Sequence, residues 1–188
     1  QALNEAYQKD ERIISVSSYY SDNISNMVMV RSNGFKGDSS DSGVSVSVSV
    51  PMKSDTGWPS DYWYENSLFF DELKTTGIGT RALERTIRKM GPKKIQSGKY
   101  EVVVENRVAG NLGNPVFNAL TGASLYQKQS FLIGKTDKEI ASPVLTVIDD
   151  PLISGAPGSR LFDEEGLAAV RRPIIENGVL KNYYIDTY

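Results

Sequence analysis

The most regular pattern in this chain is an alternation of valine and serine between positions 43 and 51. Four valines, Val44, Val46, Val48 and Val50, are separated by single serines, so all four fall on one face of an extended chain. A low-complexity segment is the alternative interpretation. Because β-branched residues at every second position are typical of half-buried antiparallel strands, we predict a strand here.

Two weaker patterns precede it. Residues 12–23 alternate loosely between apolar and polar and predict a strand that enters a polar turn, and residues 26–38 predict a second strand. Asn33-Gly34 interrupts that second pattern with two residues that tolerate positive φ. We therefore expect a hairpin at Asn33-Gly34.

The segment 55–73 is rich in aromatic residues. These side chains either line a binding groove or close the core beneath a long connection, and we favour packing in the core or between domains. The residues concerned are Trp58, Tyr62, Trp63, Tyr64, Phe69 and Phe70.

Residues 77–90 have the spacing of an amphipathic helix, which Gly91-Pro92 would end. The predicted apolar stripe consists of Ile78, Ala82, Leu83, Ile87 and Met90, and the basic residues facing away are Arg81, Arg85, Arg88 and Lys89. A nucleic-acid contact of that basic face is the less favoured interpretation, since cations also suit the C-terminal end of a helix.

The chain changes character near Lys93–Gly98, where a polar, lysine-bearing connection leads to an apolar run at Tyr100–Val104. We predict a strand for that run and a domain boundary before it. Residues 1–95 would be the later part of an N-terminal α+β domain, and residues 96–188 the start of a β-rich C-terminal domain.

The second half predicts one short helix, with Asn114 as N-cap and Pro115 at its first position. Residues 142–151 predict a strand, and residues 171–188 a hairpin through Asn177-Gly178. The predicted fold class is therefore α+β. It has an antiparallel sheet with helices in the N-terminal part and a mostly β second domain with one short helix.

Composition excludes several function classes. With 188 residues, 39% hydrophobic residues and a net charge of −2, the chain is typical of a soluble globular protein and has no positive field for direct nucleic-acid binding. No apolar run is long enough to span a membrane, and residues 1–4 do not open a signal peptide. Together with the absence of cysteine, this leads us to expect a cytoplasmic protein.

The chain contains neither histidine nor cysteine. It therefore cannot supply a Ser-His-Asp triad, a cysteine nucleophile or a His/Cys zinc site, and any metal would need oxygen ligands. Two acidic clusters, Asp149-Asp150 and Asp163 to Glu165, could form such a metal site or an acid and base pair. We favour turns instead, because neither cluster has the spacing of a calcium loop.

The segment Gly77–Ala82 matches the dinucleotide pattern G-x-G-x-x-A. That pattern binds pyrophosphate only where a strand precedes it directly, and the residues before it here are polar. Nucleotide binding is therefore not favoured.

Two segments of the second half carry a recognisable pattern: Gly158–Gly166 reads GSRLFDEEG, and Ile174–Tyr188 reads IIENGVLKNYYIDTY. In these segments the chain resembles the TldD/PmbA family, which also carries the name modulator of DNA gyrase. The resemblance extends upstream through most of the chain. Because chains of this family are longer at both ends, we expect this sequence to be a central fragment.

The resemblance implies a cytoplasmic peptidase in which two related subunits, TldD and TldE (PmbA), form a heterodimer that matures and degrades peptides. In the TldD type, a helix with the motif H-E-x-x-x-H binds zinc and supplies a glutamate base. The alignment of this motif leaves a one-residue choice of register, and across that choice the positions in this sequence hold Gly113, Asn114, Pro115, Phe117, Asn118 and Ala119.

The chain is therefore expected to be a TldE/PmbA-type subunit with no catalytic, cofactor or metal residue of its own and with zinc in the partner. Expected partners are a TldD-like paralogue or a second copy, together with peptide substrates that could add to exposed strand edges of the second half. One alternative is a binding protein that modulates DNA gyrase, and another is an enzyme that uses the acidic clusters with magnesium or manganese.

Overall fold

The computed structural model of the chain describes residues 1–186. It divides into two compact units, residues 1–97 and residues 98–188. Each unit combines helices with a three-stranded antiparallel sheet. The predicted α+β class with antiparallel sheets is confirmed.

The sheet of the first unit consists of β1 (Ser17–Val30), β2 (Lys36–Pro51) and β3 (Ser60–Ser67), in that order. The hairpin at Asn33-Gly34 is confirmed, and Gly34 has a φ of 94°. The predicted polar turn after residue 20 is wrong. β1 continues through that region because each of its residues pairs with a residue of β2.

The alternating valines form part of β2, as predicted, and Val48 and Val50 are fully buried. Helix α1 (Ile78–Arg88) packs against β2 and β3, which confirms the predicted helix. A short 3-10 turn, Phe70–Glu72, precedes it. The core between helix, sheet and N-terminal segment consists of Ala2, Ala6, Val48, Val50, Met52, Ile78, Ala82 and Leu83.

The apolar stripe of α1 differs from the prediction at one position. Ile87 is exposed, whereas Thr86 is fully buried. The Thr86 hydroxyl accepts a hydrogen bond from the Asp61 N–H at 2.9 Å. It lies 2.9 Å from the Val50 carbonyl and 3.0 Å from the Ala82 carbonyl, to either of which it can donate. Burial of this polar side chain is tolerated because it satisfies groups of both strands.

We expect Thr86→Val to destabilise the first unit by about 2 kcal/mol. The replacement preserves shape but leaves the buried Asp61 N–H without its acceptor, and such unmade bonds cost roughly 1–3 kcal/mol. Urea denaturation would measure the loss. Thr80→Val, at an exposed position of the same helix, is the control and should change stability by less than about 0.5 kcal/mol. Equal effects of the two substitutions would contradict this assignment.

The prediction that the aromatic segment closes the core is wrong for five of its six members. Trp58, Tyr62, Tyr64, Phe69 and Phe70 are 37–77% exposed, and only Trp63 packs against the core. Side chains alternate along β3, so Trp63 faces α1 while its neighbours Tyr62 and Tyr64 face the other side.

Trp63 and Asp61 engage most of the basic face of α1. The guanidinium groups of Arg81 and Arg85 lie 5.0 and 5.5 Å from the Trp63 ring centroid. The Asp61 carboxylate pairs with Arg85 at 3.2 Å and with Lys89 at 3.1 Å. These contacts hold the helix on β3, so Arg81, Arg85 and Lys89 have a structural role.

The second unit contains α2 (Asn106–Ala119), α3 (Gly122–Tyr126) and a sheet in the order β4 (Val147–Asp149), β5 (Arg172–Glu176) and β6 (Val179–Leu180). The hairpin through Asn177-Gly178 is confirmed, with φ values of 48° and 81°. Residues 187 and 188 of the predicted hairpin lie outside the described residues. The core combines the end of α2 with the sheet and contains Ala119, Leu120, Leu132, Ile174, Ile175 and Leu180.

Two local predictions in this unit are wrong. Residues 100–104 form no strand, because no described strand pairs with them. Val103 is 99% exposed. The helix begins at Asn106 rather than after Asn114, and Pro115 lies inside it. Asn114 is therefore not an N-cap. Thr121 is the N-cap of α3, and its side chain accepts a hydrogen bond from the Ser124 N–H. The helical part is thus longer than predicted.

Candidate functional site

The second half of α2 is the candidate site, because the resemblance places the zinc ligands of the TldD type there. All six positions lie within the helix. Asn114 and Asn118 are four residues apart, hence on one face, and both are exposed. The other four side chains are glycine, proline, phenylalanine and alanine. This stretch of α2 presents two amide groups where a zinc helix would present imidazoles and a carboxylate.

The end of α2 is fastened to the segment that follows β6. The Tyr184 N–H donates to the Leu120 carbonyl at 2.9 Å, and the Gly122 N–H donates to the Tyr184 carbonyl at 2.7 Å. The Ser130 hydroxyl donates to the Ala119 carbonyl at 2.6 Å. Since Leu120 is fully buried as well, the helix end has a defined position on its unit.

These residues do not fit zinc. Zinc in proteins prefers imidazole nitrogen, thiolate sulfur and carboxylate oxygen, and an amide neither ionises nor accepts a proton at neutral pH. Across residues 1–186, no group of three or more Asp, Glu, His or Cys side chains is placed to hold a metal ion. The exposed amides of α2 can donate and accept hydrogen bonds, which suits the polar backbone of a peptide.

The first acidic cluster is paired with arginines. The Asp149 carboxylate lies 3.5 Å from the Arg172 Nε and 4.0 Å from the Arg160 guanidinium, and Asp150 lies 3.0 Å from the Arg171 Nε. The Arg172 guanidinium lies 5.6 Å from the Tyr184 ring centroid. Burial and the Asp149 charge raise the Tyr184 pKa, against the opposing effect of the arginines. Asp149 thus lies near two arginines, of which Arg172 belongs to β5, and is part of a network of ion pairs.

The second acidic cluster forms a tight turn. The Asp163 carboxylate accepts hydrogen bonds from the Glu165 N–H at 2.9 Å and from the Leu167 N–H at 2.8 Å. Gly166 has a φ of 78° and donates its N–H to the Asp163 carbonyl. The polar bend and the positive φ expected at this glycine are confirmed.

The G-x-G-x-x-A segment opens α1 but lacks the strand that a dinucleotide site requires, because the 3-10 turn and a loop precede it. The Glu5 carboxylate instead accepts hydrogen bonds from the Gly77 N–H at 2.8 Å and the Gly79 N–H at 3.1 Å. A carboxylate of the chain itself therefore occupies the place of a phosphate. Sequence reasoning missed Glu5, because its partners lie more than 70 residues away.

Within residues 1–186, none of the helices has the length and apolar character needed to cross a lipid bilayer.

Comparison with known proteins gives consistent matches along the chain. Residues 1–90 match the family model of the PmbA/TldA metallopeptidase central domain, and residues 97–188 match that of its C-terminal domain. A curated relative, "Metalloprotease PmbA homolog" of Haemophilus influenzae, is 30% identical over 190 residues. That alignment covers 100% of this chain and 42% of the relative.

Two solved structures are similar in fold. A Bacteroides thetaiotaomicron protein named as a modulator of DNA gyrase has a TM-score of 0.97 and 46% identity, over 100% of this chain and 43% of its own. TldE from Thermococcus kodakarensis has a TM-score of 0.75 and 20% identity, over 98% of this chain and 42% of its own, and shows the fold alone. The chain thus spans less than half the length of these proteins.

Proposed function

This chain belongs to the PmbA/TldD family of metallopeptidases, and on that premise we propose that it is part of a non-catalytic, TldE/PmbA-like subunit. Its partner would be a TldD-like paralogue that carries H-E-x-x-x-H and zinc, in a cytoplasmic heterodimer that matures and degrades peptides. The observation that carries the proposal is the chemistry of α2, where the positions expected to hold zinc ligands have none.

The role of this chain in such a complex would be to hold peptide. The exposed Asn114 and Asn118 amides can bind peptide groups irrespective of peptide sequence. Strand addition has less room than the sequence suggested, because residues 137–139 already hydrogen-bond along β6. β4 is the outer strand at the other side of that sheet, and its edge is where an extended peptide would add.

We expect the full-length protein to cleave an unstructured peptide only after it is mixed with a paralogue that bears H-E-x-x-x-H. Activity would be followed by mass spectrometry, and bound zinc would be counted in each subunit and in the mixture. Zinc should appear in the paralogue and the mixture and be absent from this subunit. Cleavage by this subunit alone would overturn the non-catalytic assignment.

Two variants separate the proposed roles. In the paralogue, replacing the motif glutamate with glutamine should abolish cleavage and leave zinc bound, because the base is lost. In this subunit, Asn114→Ala combined with Asn118→Ala should raise KM with little change in kcat, since only peptide binding is affected. A proportional fall in kcat without a change in KM would show that α2 acts on the reacting atoms.

A stand-alone modulator of DNA gyrase is the second candidate, and the name of the Bacteroides relative favours it. Copurification distinguishes the two. The peptidase proposal requires a histidine-bearing paralogue in the purified complex, whereas the modulator requires gyrase and no paralogue.

A further inference from the structure

The hairpin of β1 and β2 continues beyond the three-stranded sheet. β3 pairs only with residues 44–51 of β2, whereas β1 pairs with β2 as far as Val30 and Lys36. The pairs from Asn23–Gly43 to Val30–Lys36 therefore form a two-stranded extension, called here the ribbon. A two-stranded hairpin is marginally stable alone, so a partner that packs on the ribbon would stabilise it.

One face of the ribbon continues the face that forms the core. Side chains alternate along a strand, and paired residues share a face, so Ile24, Val28 and Val30 lie on the same side as Val48 and Val50. Val48 and Val50 are buried beneath α1, whereas Ile24, Val28 and Val30 are 66–77% exposed. This face of β1 and β2 is thus covered by α1 at one end and bare at the other, where Asn26, Ser40 and Ser42 lie between the apolar residues.

A groove of about 700 Å³ lies where the ribbon leaves the sheet. Tyr20, Ile24 and Val44 line one side, and Phe69 and Phe70 line the other. Both phenylalanines are more than half exposed. The Ser42 hydroxyl donates to the Leu68 carbonyl at 2.7 Å and so holds the two sides of the groove close together. The groove is open, apolar and continuous with the bare face.

Among the described residues that line the groove, the charged side chains are those of Asp22 and Asp71, and none is a lysine or an arginine. Asp38 lies on the same ribbon face, opposite Val28, and the single cation of that face is Lys36, opposite Val30. An apolar surface with this acidic border fits a partner surface of aliphatic side chains bordered by lysine or arginine.

We propose that the ribbon face and the adjoining groove are the surface on which the partner subunit docks. The area supports a folded partner rather than a short peptide. The apolar side chains of this surface that are about half to three quarters exposed are Tyr20, Ile24, Val28, Val30, Phe69 and Phe70. Because a large apolar side chain has roughly 150–250 Å² of surface, these six together expose on the order of 700 Å². A standard interface buries about 800 Å² on each partner. This inference rests on the proposed function and specifies which surface that function uses.

The test measures association of the full-length subunit with its H-E-x-x-x-H paralogue by analytical ultracentrifugation. Ile24→Thr combined with Val28→Thr removes apolar contact while retaining β-branched residues. We expect it to weaken association at least tenfold. Met27→Thr is the matched control, because Met27 lies on the opposite face of the same strand and is also partly exposed. It should change Kd by less than twofold.

A second pair of variants tests the acidic border. Asp22→Asn combined with Asp71→Asn should weaken association and reduce its dependence on salt, since charge pairs across an interface are screened. Asp41→Asn, on the opposite face of the ribbon, should leave both unchanged.

The outcomes distinguish a failure of the docking surface from a failure of the proposed function. If the wild-type protein associates and the face variants bind as tightly as wild type, the docking surface is wrong and the proposed function stands. If the double threonine variant lowers the unfolding midpoint of the isolated subunit without affecting association, another part of the same chain covers the face, and the docking surface is again wrong. If the wild-type protein does not bind the paralogue, the proposed function fails and this inference fails with it.

Discussion

Replacing Gly79 with alanine is expected to destabilise the first unit by about 3 kcal/mol. Gly79 lies in the first turn of α1 and is buried against the N-terminal segment. A Cβ at this position would overlap the Ala2 carbonyl oxygen and would lie 3.0 Å from the Glu5 Cβ and 3.1 Å from the Ala6 nitrogen. Two of these three atoms belong to the backbone, so the segment must move as a whole, and overpacking of this kind costs roughly 1–3 kcal/mol or more.

That displacement would also remove the cap of α1. The Glu5 carboxylate accepts hydrogen bonds from the Gly77 and Gly79 N–H groups only while the segment lies close to the helix. Loss of a cap costs about 1 kcal/mol, which adds to the effect of overpacking. The G-x-G pattern in this chain is thus explained by close packing of two segments.

Gly110→Ala is the control for this prediction. Gly110 also lies in a helix, and a Cβ there would meet no atom within 4 Å. Because alanine favours helix by up to about 1 kcal/mol over glycine, this substitution should stabilise slightly. Both tryptophans, Trp58 and Trp63, lie in the first unit, so their fluorescence during urea denaturation reports on the Gly79 substitution. Gly110 lies in the second unit, so far-ultraviolet circular dichroism during the same denaturation would follow the control. A Gly79→Ala protein as stable as wild type would contradict the packing described.

Replacing Gly178 with alanine is expected to destabilise the second unit, also by about 3 kcal/mol. Gly178 has a φ of 81°, in the left-handed region, where an alanine costs roughly 1–2 kcal/mol. Its Cβ would in addition overlap the Ala141 carbonyl oxygen and approach the Ser142 carbonyl group within 2.9 Å. Backbone conformation and close approach therefore act in the same direction.

The affected contacts fasten residues 140–145 to the β5–β6 hairpin. The Gly178 carbonyl accepts hydrogen bonds from the Ile140 N–H at 2.9 Å and the Ala141 N–H at 3.2 Å, and its N–H donates to the Leu145 carbonyl at 2.9 Å. Hydrogen exchange of the Ile140 and Ala141 amides should accelerate in the variant, because these bonds lengthen or break.

Gly155→Ala separates the two contributions. Gly155 has a φ of 70°, but a Cβ there would meet no atom within 4 Å. Its substitution should therefore cost only the backbone contribution, roughly 1–2 kcal/mol. If Gly155→Ala and Gly178→Ala were equally destabilising, the close approach at Gly178 would have no energetic weight.

Local patterns predicted the elements that depend on a few neighbouring residues. The alternation of Val44 to Val50 specifies a strand with one buried face, and Asn33-Gly34 and Asn177-Gly178 specify tight turns because these residues tolerate positive φ. Residues 77–90 specify a helix by their spacing. The sequence also shows that α2 contains no histidine, cysteine, aspartate or glutamate that could bind zinc, because this depends on residue identity alone.

The errors lie where distant partners outweigh local preference. The polar residues 21–23 suggested a turn, yet β2 pairs with them and continues the strand. Tyr100–Val104 has strand propensity but pairs with no strand among the described residues. The aromatic residues in and near β3 were expected in the core, but side chains alternate along that strand, so Tyr62 and Tyr64 face away from α1. Trp58, Phe69 and Phe70 lie outside the strand and are exposed.

The sequence by itself determined the α+β class, the principal turns and the exclusion of histidine or cysteine chemistry, because each follows from residue type and short-range spacing. Only the tertiary structure decided that Glu5 caps α1, that Thr86 joins the helix to both strands, and that the apolar face of the β1–β2 hairpin is bare beyond the helix. The first two features join segments 25 to 74 residues apart, and the third depends on where a neighbouring element ends. A local sequence pattern cannot predict contacts between segments so far apart.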